Sequence, residues 1–204
     1  MLCIAGLLSG YDGSSSLLNN ITSYQNIRSF APFTGDVLEI QDLIDDGIAV
    51  RIDNQTTKYK IYGWYNSSTG AVEWWSDAEK VYLTDASRCI WAKLENCVSI
   101  DTTGIDTSLM KNMGGLFYGC YNLKSLNVDT LDTSSATNMM DMFSDCRSLK
   151  ELDLSSFDTS NVTDMCQMFD DCNNLEAIDV TGWNTSNNYW FESMFAGCYN
   201  VSVK

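Results

Sequence analysis

The stretch Leu152–Cys172, LDLSSFDTSNVTDMCQMFDDC, decides the reading of the chain, because its key positions recur on both sides at a spacing of 26 residues. Phe117, Phe143, Phe169 and Phe195 form one column, with Trp91 in the same slot one period earlier. Cys120, Cys146, Cys172 and Cys198 form a second column, and Leu116, Met142, Met168 and Met194 a third. Met113, Met139, Met165 and Phe191 follow the same period, as do Leu123, Leu149, Leu175 and Val201. Asp106, Asp132, Asp158 and Asn184 are each followed by Thr-Ser. A period of this size is the signature of a solenoid, in which each unit buries its apolar face only against its neighbours.

One unit divides into three parts. Met165, Met168, Phe169 and Cys172 sit at i, i+3, i+4 and i+7, which predicts a short helix capped by Asn161 or Thr163. Leu152 and Leu154 alternate with Asp153, which predicts a short strand with the leucines inward and the aspartate outward. Ser155–Ser160 is turn chemistry around Phe157, with Asp158 suited to accepting backbone N–H groups two residues on. Stacked, such units give an α/β leucine-rich-repeat solenoid of 26-residue units, parallel strands plus short helices, over residues 85–204 in about four to five units.

The front of the chain lacks the period. Residues 34–84 read as a small N-terminal α+β cap, mostly β. Val37–Asp46 is an amphipathic helix stopped by Gly47, residues 48–53, 58–65 and 71–75 alternate as strands, and Asn66–Gly70 is a hairpin turn. Residues 1–33 read as a leader or extended segment. Met1–Leu8 is apolar, but the first basic residue is Arg28, so the positive start of a secretory signal is missing. Lys204 falls early in a repeat, which predicts a ragged stop or a continuation in a longer parent.

Composition narrows the function. Lys+Arg 12 against Asp+Glu 27 sets the net charge at −15, which opposes binding to nucleic acid or to anionic lipid. No apolar run approaches the roughly 18 residues that membrane insertion needs. The chain has no histidine, which removes Ser-His-Asp triads and the usual catalytic zinc sites. The cysteines recur once per unit rather than in close pairs, so no metal site and no cofactor is expected, and no enzyme.

The cysteine ladder reads as buried free thiols, since parallel Cβ vectors suit disulfides poorly. Cys89 and Cys166 lie outside it and are the better candidates for reactivity, whereas Cys3 is uninformative. Asp101, Asn127, Asp153 and Asp179 form an outward column on the strand face, a candidate contact for a basic partner or, less favoured, for calcium. Trp64 and Trp74, with Tyr65 and Trp75, are a second candidate contact, because alternation predicts that some of these rings are exposed, but a capping sheet needs apolar rings anyway and packing is the favoured reading. The sequons Asn20, Asn54, Asn66, Asn161, Asn184 and Asn200 matter only in a eukaryotic secretory source.

The repeat resembles the BspA-like leucine-rich-repeat proteins of bacterial surfaces, which combine a leucine strand, an aromatic turn, D-T-S-x-V-T and M-x-x-M-F-x-x-C. The resemblance covers residues 85–204, and IYGWYNSSTGAVEWWSDAEKVYL is similar to the segment that often precedes such arrays. Thr185–Trp190 lacks the V-T-D-M core and Ser134–Thr137 weakens it. The resemblance implies a cell-surface or secreted module that mediates adhesion or protein binding, with a protein or cell-surface macromolecule as partner and no catalytic activity. The alternative is a structural spacer or component of a larger fibre or phage-attached assembly, with no ligand of its own.

Overall fold

Side chains recurring every 26 residues share one core only if consecutive units lie in register, and the chain achieves this with main-chain hydrogen bonds between units. The structure is a computed structural model that describes residues 26–51, 61–78 and 80–204. Met1–Leu8, Cys3, the sequons at Asn20 and Asn54, and the alternation expected through 52–60 lie outside the described residues.

From Met113 onward, alternate N–H groups point to the following coil. Met113, Gly115, Phe117 and Gly119 donate to the carbonyls of Asn138, Met140, Met142 and Ser144, at 2.9, 2.8, 2.9 and 2.9 Å. Met139, Asp141, Phe143 and Asp145 donate in turn to Asp164, Cys166, Met168 and Asp170. Each such peptide therefore accepts from the coil before it and donates to the coil after it, and residues 26 apart are one coil apart.

Over each coil the intervening N–H groups close overlapping three-residue turns, as in Met168 to Met165, Asp170 to Gln167 and Cys172 to Phe169. The short helices expected at Met165–Cys172 and its equivalents are thus absent, and Asn161 and Thr163 cap no helix there. The reason is backbone handedness. Two columns take positive φ: Cys89, Gly115, Asp141, Gln167 and Ser193, and Lys93, Gly119, Asp145, Asp171 and Gly197. A left-handed residue at every fourth position interrupts the right-handed run, so that every second N–H points out of the chain's own path and toward the neighbour, which an α-helix cannot do. Met165, Met168, Phe169 and Cys172 are nonetheless buried on one side, because turns of three residues reproduce the helical spacing.

The rings then stack. Centroid separations from Trp91 through Phe117, Phe143 and Phe169 to Phe195 run 5.2, 5.5, 5.5 and 5.2 Å, with planes within 10° of parallel. Beside them the thiols of Cys120, Cys146, Cys172 and Cys198 donate to the carbonyls of Trp91, Phe117, Phe143 and Phe169, at 3.0 to 3.3 Å. Aimed at carbonyls of the preceding coil, neighbouring sulfurs stay unpaired, and the seven described cysteines are free thiols. A third ladder is polar and buried. Thr133 Oγ1 donates to the Asp158 carbonyl at 3.1 Å and accepts from the Asp158 N–H at 2.8 Å. Thr159 does the same with Asn184.

Short strands line the remaining side, parallel from coil to coil and antiparallel within the cap hairpin and its neighbour. β1 (Ser29–Pro32), α1 (Val37–Asp45), β2 (Val50–Arg51), β3 (Ile61–Asn66), β4 (Ala71–Ser76) and β5 (Val81–Thr84) precede β6 (Ser99–Asp101), β7 (Ile105–Leu109), β8 (Ser125–Asn127), β9 (Glu151–Asp153), β10 (Ala177–Asp179) and β11 (Ser202–Val203). They form one sheet ordered β2-β3-β4-β1-β6-β8, a second ordered β11-β10-β9, and a pair β5-β7. β1 falls within the segment expected to be a leader or extended. Extended there, it is the seam of the molecule, parallel both to β4 of the cap hairpin and to β6 of the first coil. α1 is capped at its start by Asp36, whose Oδ1 accepts from Leu38 and Glu39. It ends at Gly47, φ +71°, with the Gly47 and Ile48 N–H groups returning to Ile44 and Leu43 in a Schellman closure. The helix lays Ile40 against Trp64 on the outer face of the cap sheet.

Two substitutions test these ladders. Phe143→Ala removes a fully buried ring from the middle of the stack and is expected to cost about 3 to 5 kcal/mol in urea unfolding. Thr133→Val keeps the shape but strands the Asp158 N–H, with an expected loss of about 1 to 3 kcal/mol by the same measurement.

Candidate binding surface

Three corners of each coil are built by one device, a carboxylate or amide oxygen accepting the N–H two residues on. At the first corner Asp101, Asn127, Asp153 and Asp179 accept from Thr103, Asp129, Ser155 and Thr181, at 2.9 to 3.0 Å. At the second, Asp106, Asp132, Asp158 and Asn184 accept from Ser108, Ser134, Ser160 and Ser186, at 2.9 to 3.0 Å. At the third, Asn112, Asn138 and Asp164 accept from Gly114, Met140 and Cys166. The first column, expected to be free for contact, is therefore committed to its turn through one oxygen, as the second was expected to be. The third was not read from the sequence, although Asn112, Asn138 and Asp164 carry the period as plainly as the others.

The first column lies at the C-terminal ends of the strands, in register. Asp101 pairs with Asn127 across β6-β8, and Asp153 with Asp179 across β9-β10. It divides there, since β8 and β9 belong to different sheets. Around the second pair the surface is charged. Lys204 Nζ lies 2.8 Å from Asp179 Oδ2, and Lys150 Nζ lies 3.3 Å from Glu176 Oε1. The Lys204 ammonium, with the Thr181 hydroxyl and N–H, holds the Asp179 carboxyl down to about 2. Hydrogen bonds from Ser155 hold Asp153 below the ordinary carboxylate range, against the opposing charge of Asp179. Both groups are anionic at neutral pH.

Trp64 and Trp74 do not reach this surface. They are 3% and 7% exposed, so neither ring offers a contact face. The alternation that predicted exposed rings assumes a sheet wet on one side, whereas this one is covered on both. Trp64 packs with Ile40 beneath α1, meeting Phe33 edge-on at 5.2 Å and donating Nε1–H to Glu73 at 3.0 Å. Trp74 points the other way, into the core shared with the coils, where its ring covers Gly104. Tyr62 and Trp75, 6.5 Å apart, are the half-buried pair left at the edge.

Most of the thiols are pushed away from the thiolate form, Cys198 being lowered instead by a hydrogen bond with the Cys172 thiol. Burial pushes Cys120 and Cys146 up, and Cys97 up to about 11. Cys89 and Cys166, expected to be the more reactive, are half-buried and also raised, chiefly by desolvation. Cys89 borders a cavity of ≈ 130 Å³ with Arg88, Asn112, Asn138 and Asp141, well short of the ~300 to 1,000 Å³ that drug-sized ligands occupy. Burial, with Asp170 and Asp164 nearby, pushes the Asp141 carboxyl up. Among the described residues no group of three or more His, Cys, Asp or Glu is placed to hold a metal, and no helix is long and apolar enough to cross a membrane.

A family model matches residues 88–204, beginning where the Trp91 coil begins. The chain belongs to the family described as Mycoplasma protein of unknown function, DUF285. No curated protein and no solved structure matches it. The columns of rings, thiols and corner aspartates are thus the internal structure of a DUF285 segment, and the cap lies outside the matched residues.

The Lys204–Asp179 pair supplies a test. A depressed carboxyl contributes stability that is present above its unfolded value of about 3.9 and is lost as pH falls toward the folded value near 2. In Lys204→Met the Asp179 titration, followed by carboxyl NMR, is expected to move up toward the ordinary value. An unmoved titration would assign the whole depression to Thr181.

Proposed function

We propose that this DUF285 protein is a BspA-like leucine-rich-repeat solenoid that acts as a bacterial cell-surface or secreted binding module, taking a protein or cell-surface macromolecule on its acidic strand-side face. The observation that carries the reading is the in-register pair Asp153 and Asp179, ionised and one coil apart, where a basic partner takes the place that Lys204 holds at 2.8 Å from Asp179. Such a row presents charge at a fixed repeat to a basic partner, which steers encounter and sets register more than it adds raw affinity. The packing supports contact rather than catalysis. Rings, thiols and threonines fill the interior coil after coil, so the side chains free to act are on the outside. The family match supports the repeat, and the motif resemblance supports the surface location.

The test is retention of protein-coated beads on epithelial cells or mucosal extract at two ionic strengths. Asp153→Lys with Asp179→Lys is expected to lower retention about tenfold at 0.05 M salt, and the difference is expected to shrink at 0.5 M as the charges are screened. Equal retention by both proteins at low salt removes the acidic face as the binding surface. No retention by either, with assembly into larger particles in sedimentation, supports the structural-spacer alternative instead.

A further inference from the structure

One place on the outside of the coils lacks side chains where its neighbours have them. Gly114 and Gly115, the only Gly-Gly in the chain, share columns with Arg88 and Cys89 of the coil before and with Met140 and Asp141 of the coil after. The backbone demands glycine at neither position. Gly115 has φ +64°, but Cys89, Asp141, Gln167 and Ser193 hold the same left-handed conformation in its column. Gly114 is matched by Met140, Cys166 and Glu192. What the pair provides is space, the cavity of ≈ 130 Å³ bordered by Cys89.

Its walls carry opposite charges. Arg88 lines it from the coil before and Asp141 from the coil after, and Arg88 is in no ion pair among the described residues. The Cys89 thiol registers both: burial pushes it up, Arg88 pulls it down, Asp141 adds to the rise and Lys93 opposes it. Between the walls lie two amides. The Oδ1 atoms of Asn112 and Asn138 are 3.0 and 3.1 Å from where a Cβ on Gly114 would stand. Each accepts one N–H, from Gly114 and from Met140, which leaves a second lone pair on each oxygen. Closing the corner needs only that oxygen, since Asp164 does the same one coil on. The amide NH2 groups are thus surplus to the turn, and neither has an acceptor among the described residues.

The lining selects its occupant by charge. A carboxylate alone leaves Asp141 facing an anion, and an ammonium alone leaves Arg88 facing a cation. A compact group carrying both satisfies both walls, and a free α-amino acid bears the two on one carbon, which neither a side chain nor a chain terminus does. We propose that this notch binds a free α-amino acid with a short side chain, its carboxylate on the Arg88 guanidinium and its ammonium among the Asp141 carboxylate and the amide oxygens of Asn112 and Asn138. Met140, 38% exposed at the rim, is left for the apolar side chain of the ligand. The site stands apart from the acidic strand face and does not depend on it.

The test uses the full chain and L-alanine, with the side-chain amide signals of Asn112 and Asn138 followed by NMR. Saturable shifts of both signals are expected at millimolar alanine. Propionate, which lacks the ammonium, and ethylamine, which lacks the carboxylate, are each expected to bind about tenfold more weakly. Arg88→Gln, at an exposed position, and Asp141→Asn, whose side chain tolerates left-handed backbone, are each expected to weaken alanine about tenfold while the backbone amide spectrum of the inner coils is kept. Where Asp141→Asn disturbs that spectrum, Arg88→Gln alone decides. No saturable shift up to roughly 50 mM alanine, equal binding of propionate or ethylamine, or unchanged alanine binding in Arg88→Gln overturns the proposal.

Discussion

Every second peptide of the turn stretch has to satisfy two partners on opposite sides, a donor in the preceding coil and an acceptor in the following one. A buried main-chain group left unpaired costs as much as several favourable contacts contribute, so this requirement dominates what the backbone does there. To aim alternate N–H groups along the stack, the chain interrupts its right-handed backbone every fourth residue, in the columns of positive φ at Gly115, Asp141, Gln167 and Ser193 and at Gly119, Asp145, Asp171 and Gly197. Register between coils then follows, and with it the placement of every ring over its counterpart. Asp and Asn corners, threonine hydroxyls and cysteine thiols all close remaining main-chain groups of the same or the adjacent coil.

Much of this was legible in the sequence, and what was not has physical causes. The Phe and Cys columns, their inward direction and the role of Asp158 follow from period and residue type alone. The misreading of Met165–Cys172 as a helix arises because overlapping three-residue turns bury the same positions that a helix would. A corrective signal was present: Gly115, Gly119 and Gly197 share columns with Asp141, Asp145, Gln167 and Asp171, and recurrent glycine is a poor choice for a helix interior but a good one for left-handed backbone. β1 was illegible because SFAP has neither period nor alternation to announce it; its strand character comes from two neighbours far away in sequence. For Trp64 and Trp74 the favoured reading, packing, holds and the contact reading fails, and no local pattern shows that α1 covers one face of their sheet and the coils the other.

Residue types that suggest chemistry are here absorbed by architecture. A once-per-coil cysteine suggests redox or metal chemistry until its hydrogen is found on a carbonyl of the preceding coil. An aspartate row suggests cation binding until one oxygen of each is found closing a corner. What remains outward is the second edge of carboxylates such as Asp153, together with the Lys204–Asp179 and Lys150–Glu176 ion pairs.

Main-chain hydrogen bonds cross between coils in both senses. In the turn stretch the N–H groups of Met113 and Phe117 point away from the cap, whereas Thr137, Thr163, Glu176 and Ser202 donate back to Lys111, Thr137, Lys150 and Glu176. The moments of these two sets of peptides, about 3.5 D each, therefore oppose one another along the stacking axis, unlike those of an α-helix. With the backbone contributions offset in this way, the far field of the molecule is left to its side chains and to the net charge of −15.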